Sequence, residues 1–282
     1  MTTSHNGQLF IVATPIGNLA DMTKRAIDVL NDVDVIAAED TRHSRPLLQH
    51  FAIATPLISL HEHNEQQRSE MLIERLRAGE SVALISDAGT PLISDPGYRL
   101  VSLAKQQQIP VIPVPGCCAV ITALSASGLS SERFSFEGFL PVKAGARRQQ
   151  LIDLRYEQRT LIFYESPRRL VQTLMDMVAV FGGDRLACLA RELTKLHETI
   201  VTRPLSELLA WVEADSNQQR GECVLLVEAA TQAYQPVQQE QEKLLQLLLA
   251  ELPMKKAAAI TATMMGGSKN EAYQLALKLQ QK

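Results

Sequence analysis

Charge of one sign is not in excess: 28 Lys and Arg stand against 31 Asp and Glu, for a net charge of −3. That balance excludes a protein whose whole surface grips nucleic acid, so any RNA or DNA contact must come from local patches. Cysteine is sparse. The four present, Cys117, Cys118, Cys188 and Cys223, stand in no metal-ligand spacing, and the adjacent pair is a poor candidate for a disulfide. A reduced, cytoplasmic interior is the expectation. No apolar run is long enough to cross a bilayer, and residues 1–8 lack the apolar core of a signal peptide. The turn after the first candidate strand is not a GxGxxG fingerprint and carries no Walker-type lysine. What is present is an ordinary globular composition, 46% hydrophobic and 21% charged over 282 residues, long enough for two domains with a substantial core.

The chain is organised around Ser86-Asp87-Ala88-Gly89-Thr90-Pro91-Leu92-Ile93-Ser94-Asp95-Pro96-Gly97. An apolar run over 82–85 precedes it, as a buried parallel strand requires. Asp95-Pro96 reads as an N-cap followed by proline at the first helical position. The stretch is therefore a strand, a small-residue turn and a helix start. Gly89 lets backbone approach a ligand closely. Asp87 sits just past the strand end, where open α/β sheets place ligands.

The same pattern recurs along the first part of the chain. Strands are expected over 9–14, 33–38, 56–60, 82–85 and 111–114, alternating with helices. The turn 15–19 follows the first strand, and a helix is expected over 21–30. Glu39-Asp40-Thr41-Arg42-His43 follows the second strand, and His61-Glu62-His63-Asn64-Glu65 the third. Alternation of this kind implies right-handed crossovers and a mainly parallel sheet, with all of these turns on one edge. A tightly packed helix is expected over 119–128. Beyond it the character changes, with strands over 134–139, 160–164, 185–190, 199–202 and 223–228, a basic loop at 143–148 and a helix over 204–212. This is a second α/β domain of mixed strands. The divisions expected are 1–116, 117–234 and 235–282. In the last, the glutamine-rich 235–242 reads as a linker. Helices follow over 243–251, 255–265 and 269–280, the latter two joined by a glycine turn like a helix-turn-helix. Lys255, Lys256, Lys269 and Lys278 give that tail local positive charge.

Strand tips lined by Asp, Glu, His, Arg and backbone N–H groups suit a nucleotide-like ligand. Three readings stay open on the residues alone. One is group transfer from a nucleoside donor. Another is metal-assisted hydrolysis with His61, His63, Asp40 and Asp87 as ligands, for which a supporting shell is also required. The third is a ligand-sensing regulator that binds nucleic acid through its tail.

Several strings carry a resemblance. Thr14-Pro15-Ile16-Gly17-Asn18-Leu19, Ala38-Glu39-Asp40-Thr41-Arg42, His63-Asn64-Glu65, the whole of 86–97, Phe163-Tyr164-Glu165-Ser166 and Arg191-Glu192-Leu193-Thr194-Lys195 resemble the ribosomal RNA small subunit methyltransferase I family. That family is of the tetrapyrrole-methylase-like class of S-adenosylmethionine enzymes. The resemblance runs from about Leu9 to Lys282. It implies two α/β domains with S-adenosyl-L-methionine in the cleft between them, no metal, and a homodimer. The implied reaction is 2'-O-methylation of a cytidine ribose in the decoding region of small-subunit ribosomal RNA, as naked RNA or in the assembled subunit. The implied cofactor wall is Pro15, Gly17, Asp87, Gly89, Thr90, Ala119, Val120, Tyr164 and the Gly221 turn. The implied RNA-facing and catalytic set is Glu39, Asp40, Arg42, His63, Asn64, Glu192 and Lys195, joined by His61, Glu65 and Arg191. Glu39 is the first choice for the base. Arg147, Arg148, Arg168 and Arg169 are candidate phosphate contacts. One departure is Cys117, where the resemblance leads one to expect proline.

Overall fold

The computed structural model describes residues 7–231, 236–266 and 268–280. They form two compact units, one of 7–155 with 159–229 and one of 156–158 with the described residues from 230 onward. No helix among the described residues is long and apolar enough to cross a membrane.

In the larger unit, β1 (Leu9–Val12), β2 (Val35–Ala38), β3 (Leu57–Ser59), β4 (Val82–Ile85) and β5 (Val111–Val114) make a wholly parallel sheet in the order β3-β2-β4-β1-β5. The inner strands β2 and β4 are buried throughout, which is why they read as unbroken apolar runs. The helices between them are α1 (Lys24–Asp32), α2 (Thr41–His50), α3 (Glu65–Arg77) and α4 (Tyr98–Gln106). Helix α1 starts later than expected, because the Thr23 hydroxyl accepts from the Ala26 N–H and caps it.

Helix α4 departs from expectation in an informative way. It starts at Tyr98 after Gly97, whose φ of +122° favours glycine. Its cap comes from elsewhere: Glu65 Oε1 accepts from the N–H groups of Gly97 (2.9 Å) and Arg99 (3.0 Å). Asp95 is therefore not the N-cap, and its carboxylate is left for other work.

Helix α5 (Ala119–Ala126) leads into a second sheet, built from β6 (Phe134–Phe139), β7 (Thr160–Glu165), β8 (Leu186–Arg191), β9 (Thr199–Pro204) and β10 (Cys223–Val227). The order is β6-β7-β10-β8-β9, with β6 parallel to β7 and the other pairs antiparallel. Period-two alternation decides its two faces. Leu161, Phe163 and Leu225 pack with α6 (Ala144–Asp153), α7 (Leu170–Phe181) and α8 (Leu205–Ala214). Ile162, Val224 and Leu226 face the other way, onto Ile16, Val120 and Ala123. That second core joins the two sheets.

The smaller unit is three helices, α9 (Pro236–Glu251), α10 (Met254–Met265) and α11 (Lys269–Gln280), around Leu245, Ala257 and Ala276. The expected linker at 235–242 is corrected here: from Pro236 onward it is helix, since Gln and Glu are good helix formers and proline is tolerated in a first turn. Gln235 and Gly267 lie outside the described residues.

Candidate active site

The strand order sorts the loop tips into two groups. Those after β1, β4 and β5 meet beside one another. Thr14 N–H donates to Gly89 O (2.9 Å) and Gly89 N–H to Thr14 O (3.0 Å), while the Thr90 hydroxyl donates to Cys117 O (2.8 Å). The tips of β2 and β3, carrying Glu39, Asp40 and the 61–65 segment, belong to the other half of the sheet.

The first group opens onto a cavity of about 300 Å³. Its apolar wall is Ile16, Ile93, Leu193 and Val224, with small residues Ala88, Gly89, Ala119 and Ala190 between them. Thr90, Asp95, Tyr164, Glu165 and Glu222 supply the polar groups. Tyr164 is held between aromatic rings, 4.8 Å from Phe136 and 5.5 Å from Phe139 between centroids. Burial, followed by the nearby Cys118 and Asp95, pushes its hydroxyl far above the usual phenol range, so it stays a hydrogen-bond donor.

Of the residues expected in the cofactor wall, Gly89, Thr90, Ala119, Tyr164 and Gly221 line this cavity. Val120 lies just behind it in the joining core. Pro15 and Gly17 flank the lining residue Ile16 without lining the cavity themselves. Gly17 is where the loop after β1 meets the opposite sheet's loop: a Cβ there would lie 2.5 Å from Lys195 Cγ. Asp87 is turned elsewhere, its Oδ1 accepting from the Asp40 N–H at 3.1 Å, so it ties the β4 tip to the β2 tip.

The expected catalytic residues divide as well. Asp40 is the N-cap of α2, accepting from the Arg42 N–H, and its carboxylate takes the Arg42 side chain at 2.7 and 3.0 Å. That pairing holds Asp40 well below the usual carboxylate range. His61 and Asn64 bond each other, with Asn64 Nδ2 3.1 Å from His61 Nε2, and His63 is exposed beside them. Among the described residues, no three His, Cys, Asp or Glu side chains are grouped so as to hold a metal ion. Glu39 is half-buried; burial, then the charges of Asp87 and Asp40, raise its pKa.

Across the cleft, Lys195 Nζ is gripped by Glu192 Oε1 and Glu222 Oε2, both at 2.9 Å. Burial opposes the charge on Glu192, but the Lys195 and Glu222 hydrogen bonds outweigh it and lower its pKa. Glu192 (φ +51°) and Thr194 (φ +67°) adopt left-handed backbone, as do Leu92 (φ +73°) and Ser94 (φ +70°) in the loop opposite. Four strained non-glycine residues on the two loops bordering one cavity mark it as a candidate site. Arg191 is buried and spends its guanidinium on Gln218, Arg220 O, His197 O and Thr199, so it pins this loop and does not face RNA. Glu65 is committed to capping α4 in the same way.

Two of the expected phosphate contacts are also corrected. Arg147 is buried against Asp176 and Arg169 binds Glu165, because buried carboxylates on neighbouring elements need cations; Arg148 reaches Asp176 as well but its side chain stays 58% exposed. Asp95, half-buried in the cavity, is a candidate site residue that sequence reasoning missed. Its Asp-Pro pair looks like a helix start, and only the Glu65 cap shows otherwise.

The tetrapyrrole (corrin/porphyrin) methylase family model matches residues 8–209, and the RsmI C-terminal HTH domain model matches 235–280. A Pseudomonas aeruginosa protein named ribosomal RNA small subunit methyltransferase I is 59% identical over 278 residues, covering 98% of this chain and 99% of that one. Its namesake from Escherichia coli O157:H7 is 56% identical, covering 97% and 96%. A solved uroporphyrin-III C-methyltransferase from Thermus thermophilus, complexed with S-adenosyl homocysteine, shares the fold with a TM-score of 0.55 at 18% identity, over 79% of this chain and 97% of that one. Body, tail and cleft thus agree: the chain belongs to the tetrapyrrole methylase family, among the ribosomal RNA small subunit methyltransferases I, and is a methyltransferase.

Proposed function

We propose that this methyltransferase uses S-adenosylmethionine to methylate the 2'-hydroxyl of a cytidine ribose in the decoding region of small-subunit ribosomal RNA. The observation that carries the reading is the near-full-length identity to proteins named for rRNA methylation, tail included. The cavity supports it. Its size suits a nucleoside, and its small residues let a flat ring approach backbone. S-adenosylmethionine supplies an activated methyl group on sulfur. The chain's own residues do the rest. Gly89, Thr90, Ala119 and Tyr164 would hold the donor, and the strained loops would orient donor and ribose in line, where positioning contributes much of the rate. Glu39 and the Glu192–Lys195 pair would face the RNA. The same reading carries a homodimer in the cytoplasm.

The test is methyl transfer from labelled donor to naked rRNA and to small subunits, with the modified nucleotide mapped. Transfer to a base, or to no RNA, overturns the reading. Exhaustive chelation is expected to leave donor affinity and transfer unchanged. Activity lost on chelation and restored by zinc or magnesium would favour the hydrolase-type alternative.

The tail carries its own expectation. Lys255, Lys256, Lys269 and Lys278 are all exposed on α10 and α11. If they meet phosphates, changing Lys255 and Lys256 to Gln should flatten the dependence of log affinity on log salt by about 0.7 to 0.9 per lost contact. Donor affinity should not move. An unchanged salt slope would assign those lysines to solvent alone.

A further inference from the structure

Three carboxylates line the cavity, and two are already committed. Glu165 accepts from Ser166 N–H (2.7 Å) and the Thr173 hydroxyl (2.6 Å), and pairs with Arg169. Glu222 holds Lys195. Asp95 is different. Its charged neighbours are the carboxylates of Glu39 and Asp87, and the Tyr164 hydroxyl belongs to the same cavity. No cation is paired with it among the described residues. It stands on a loop braced on both sides, between the left-handed Ser94 and the Glu65-capped start of α4.

We propose that Asp95 is the proton acceptor for methyl transfer. The inference rests on the function proposed above. In the step, Asp95 takes the proton from the ribose hydroxyl as the oxygen lone pair forms the new O–CH3 bond. The C–S bond breaks with its electron pair staying on sulfur. Hydroxyl, sulfonium and carboxylate become ether, thioether and carboxylic acid, so charge and atoms balance, and Asp95 then returns its proton to solvent. Burial first, then the Glu39 charge, raises the Asp95 pKa to about 6, close to neutrality where a general base works best. Glu39, the residue expected as base from the sequence, does not line the cavity; its part is to raise the basicity of Asp95.

The experiment is a pH–rate profile of the full-length protein and of Asp95→Asn and Glu39→Gln, with calorimetric affinities for S-adenosylmethionine and S-adenosylhomocysteine. The wild type should lose turnover on its acid limb near pH 6. Asp95→Asn should lose about 10² to 10⁴ in kcat, lack that limb, and bind both cofactor forms within about threefold of wild type, which also reports that it folds. Glu39→Gln should move the acid limb to lower pH, because a negative neighbour is gone. Retained turnover in Asp95→Asn overturns the proposal. So does a selective loss of affinity for S-adenosylmethionine over S-adenosylhomocysteine, which would make Asp95 a partner of the sulfonium charge. A wild type that methylates no RNA overturns the function itself, and the inference with it.

Discussion

Replacing Asp176 with alanine is expected to destabilise the larger unit by about 3–5 kcal/mol, the cost of stripping one partner from a buried ion pair. Asp176 and Arg147 have side chains only 1% and 4% exposed, and they meet at 2.7 Å; Arg148 reaches the other carboxylate oxygen at 2.7 Å. Without Asp176, Arg147 is left charged beneath α7 with only the Val142 carbonyl, at 3.3 Å, among its described partners. Urea unfolding should show the midpoint falling with little change in slope. A pH signature accompanies it. Burial opposes ionisation of Asp176, but hydrogen bonds from Arg148 and Arg147 outweigh it, so its pKa lies below the ordinary value. A depressed native pKa stabilises above the unfolded carboxylate range, near pH 4, and that stability is lost as pH falls through the native value. The gap between wild type and variant should therefore narrow below about pH 4. A loss under about 1 kcal/mol at neutral pH would mean that the arginines find water instead, and would reopen the basic loop as an RNA contact.

Gly221→Ala is expected to lower kcat/KM by about 10²-fold with a modest fall in stability. Gly221 has φ +82°, where a side chain costs about 1–2 kcal/mol. A Cβ there would also lie within 2.5 Å of Glu192 Cγ. Glu192 holds both Lys195 Nζ and the Glu222 N–H, each at 2.9 Å. Moving it shifts the cavity wall and the Lys195 side chain together, and a displacement of an ångström at a reacting centre is enough for the stated loss. Single-turnover kinetics and thermal melting read the two effects separately. Normal turnover in this variant would show that the Glu192 loop yields freely and does not shape the site.

The strands were legible because their signal is local. The runs at 82–85 and 111–114 and the alternation at 134–139 appear in the structure with those bounds. Apolar continuity and period two need only the nearest residues along the chain. The small-residue turn at 86–97 was legible as a strand-tip loop for the same reason, and five of its residues line the cavity. The cap of α4 was not. Asp95-Pro96 satisfies every local rule for a helix start, yet Glu65, about thirty residues earlier, supplies the carboxylate.

Residue types by themselves determined that the chain has parallel and mixed α/β regions, polar loop tips and a helical tail, since backbone preference and burial pattern act over a few residues. Only the tertiary structure decided which of those polar groups remain available for chemistry. The order β3-β2-β4-β1-β5 puts Glu39 and Asp40 beside the β4 loop yet outside the cavity lining, and no local feature encodes strand order. Arg147, Arg169 and Arg191 look like free cations in the sequence; folding brings Asp176, Glu165 and a ring of acceptors against them. A charge is spent or kept according to what long-range packing puts beside it, and Asp95 is kept because its charged neighbours are carboxylates and no cation is paired with it among the described residues.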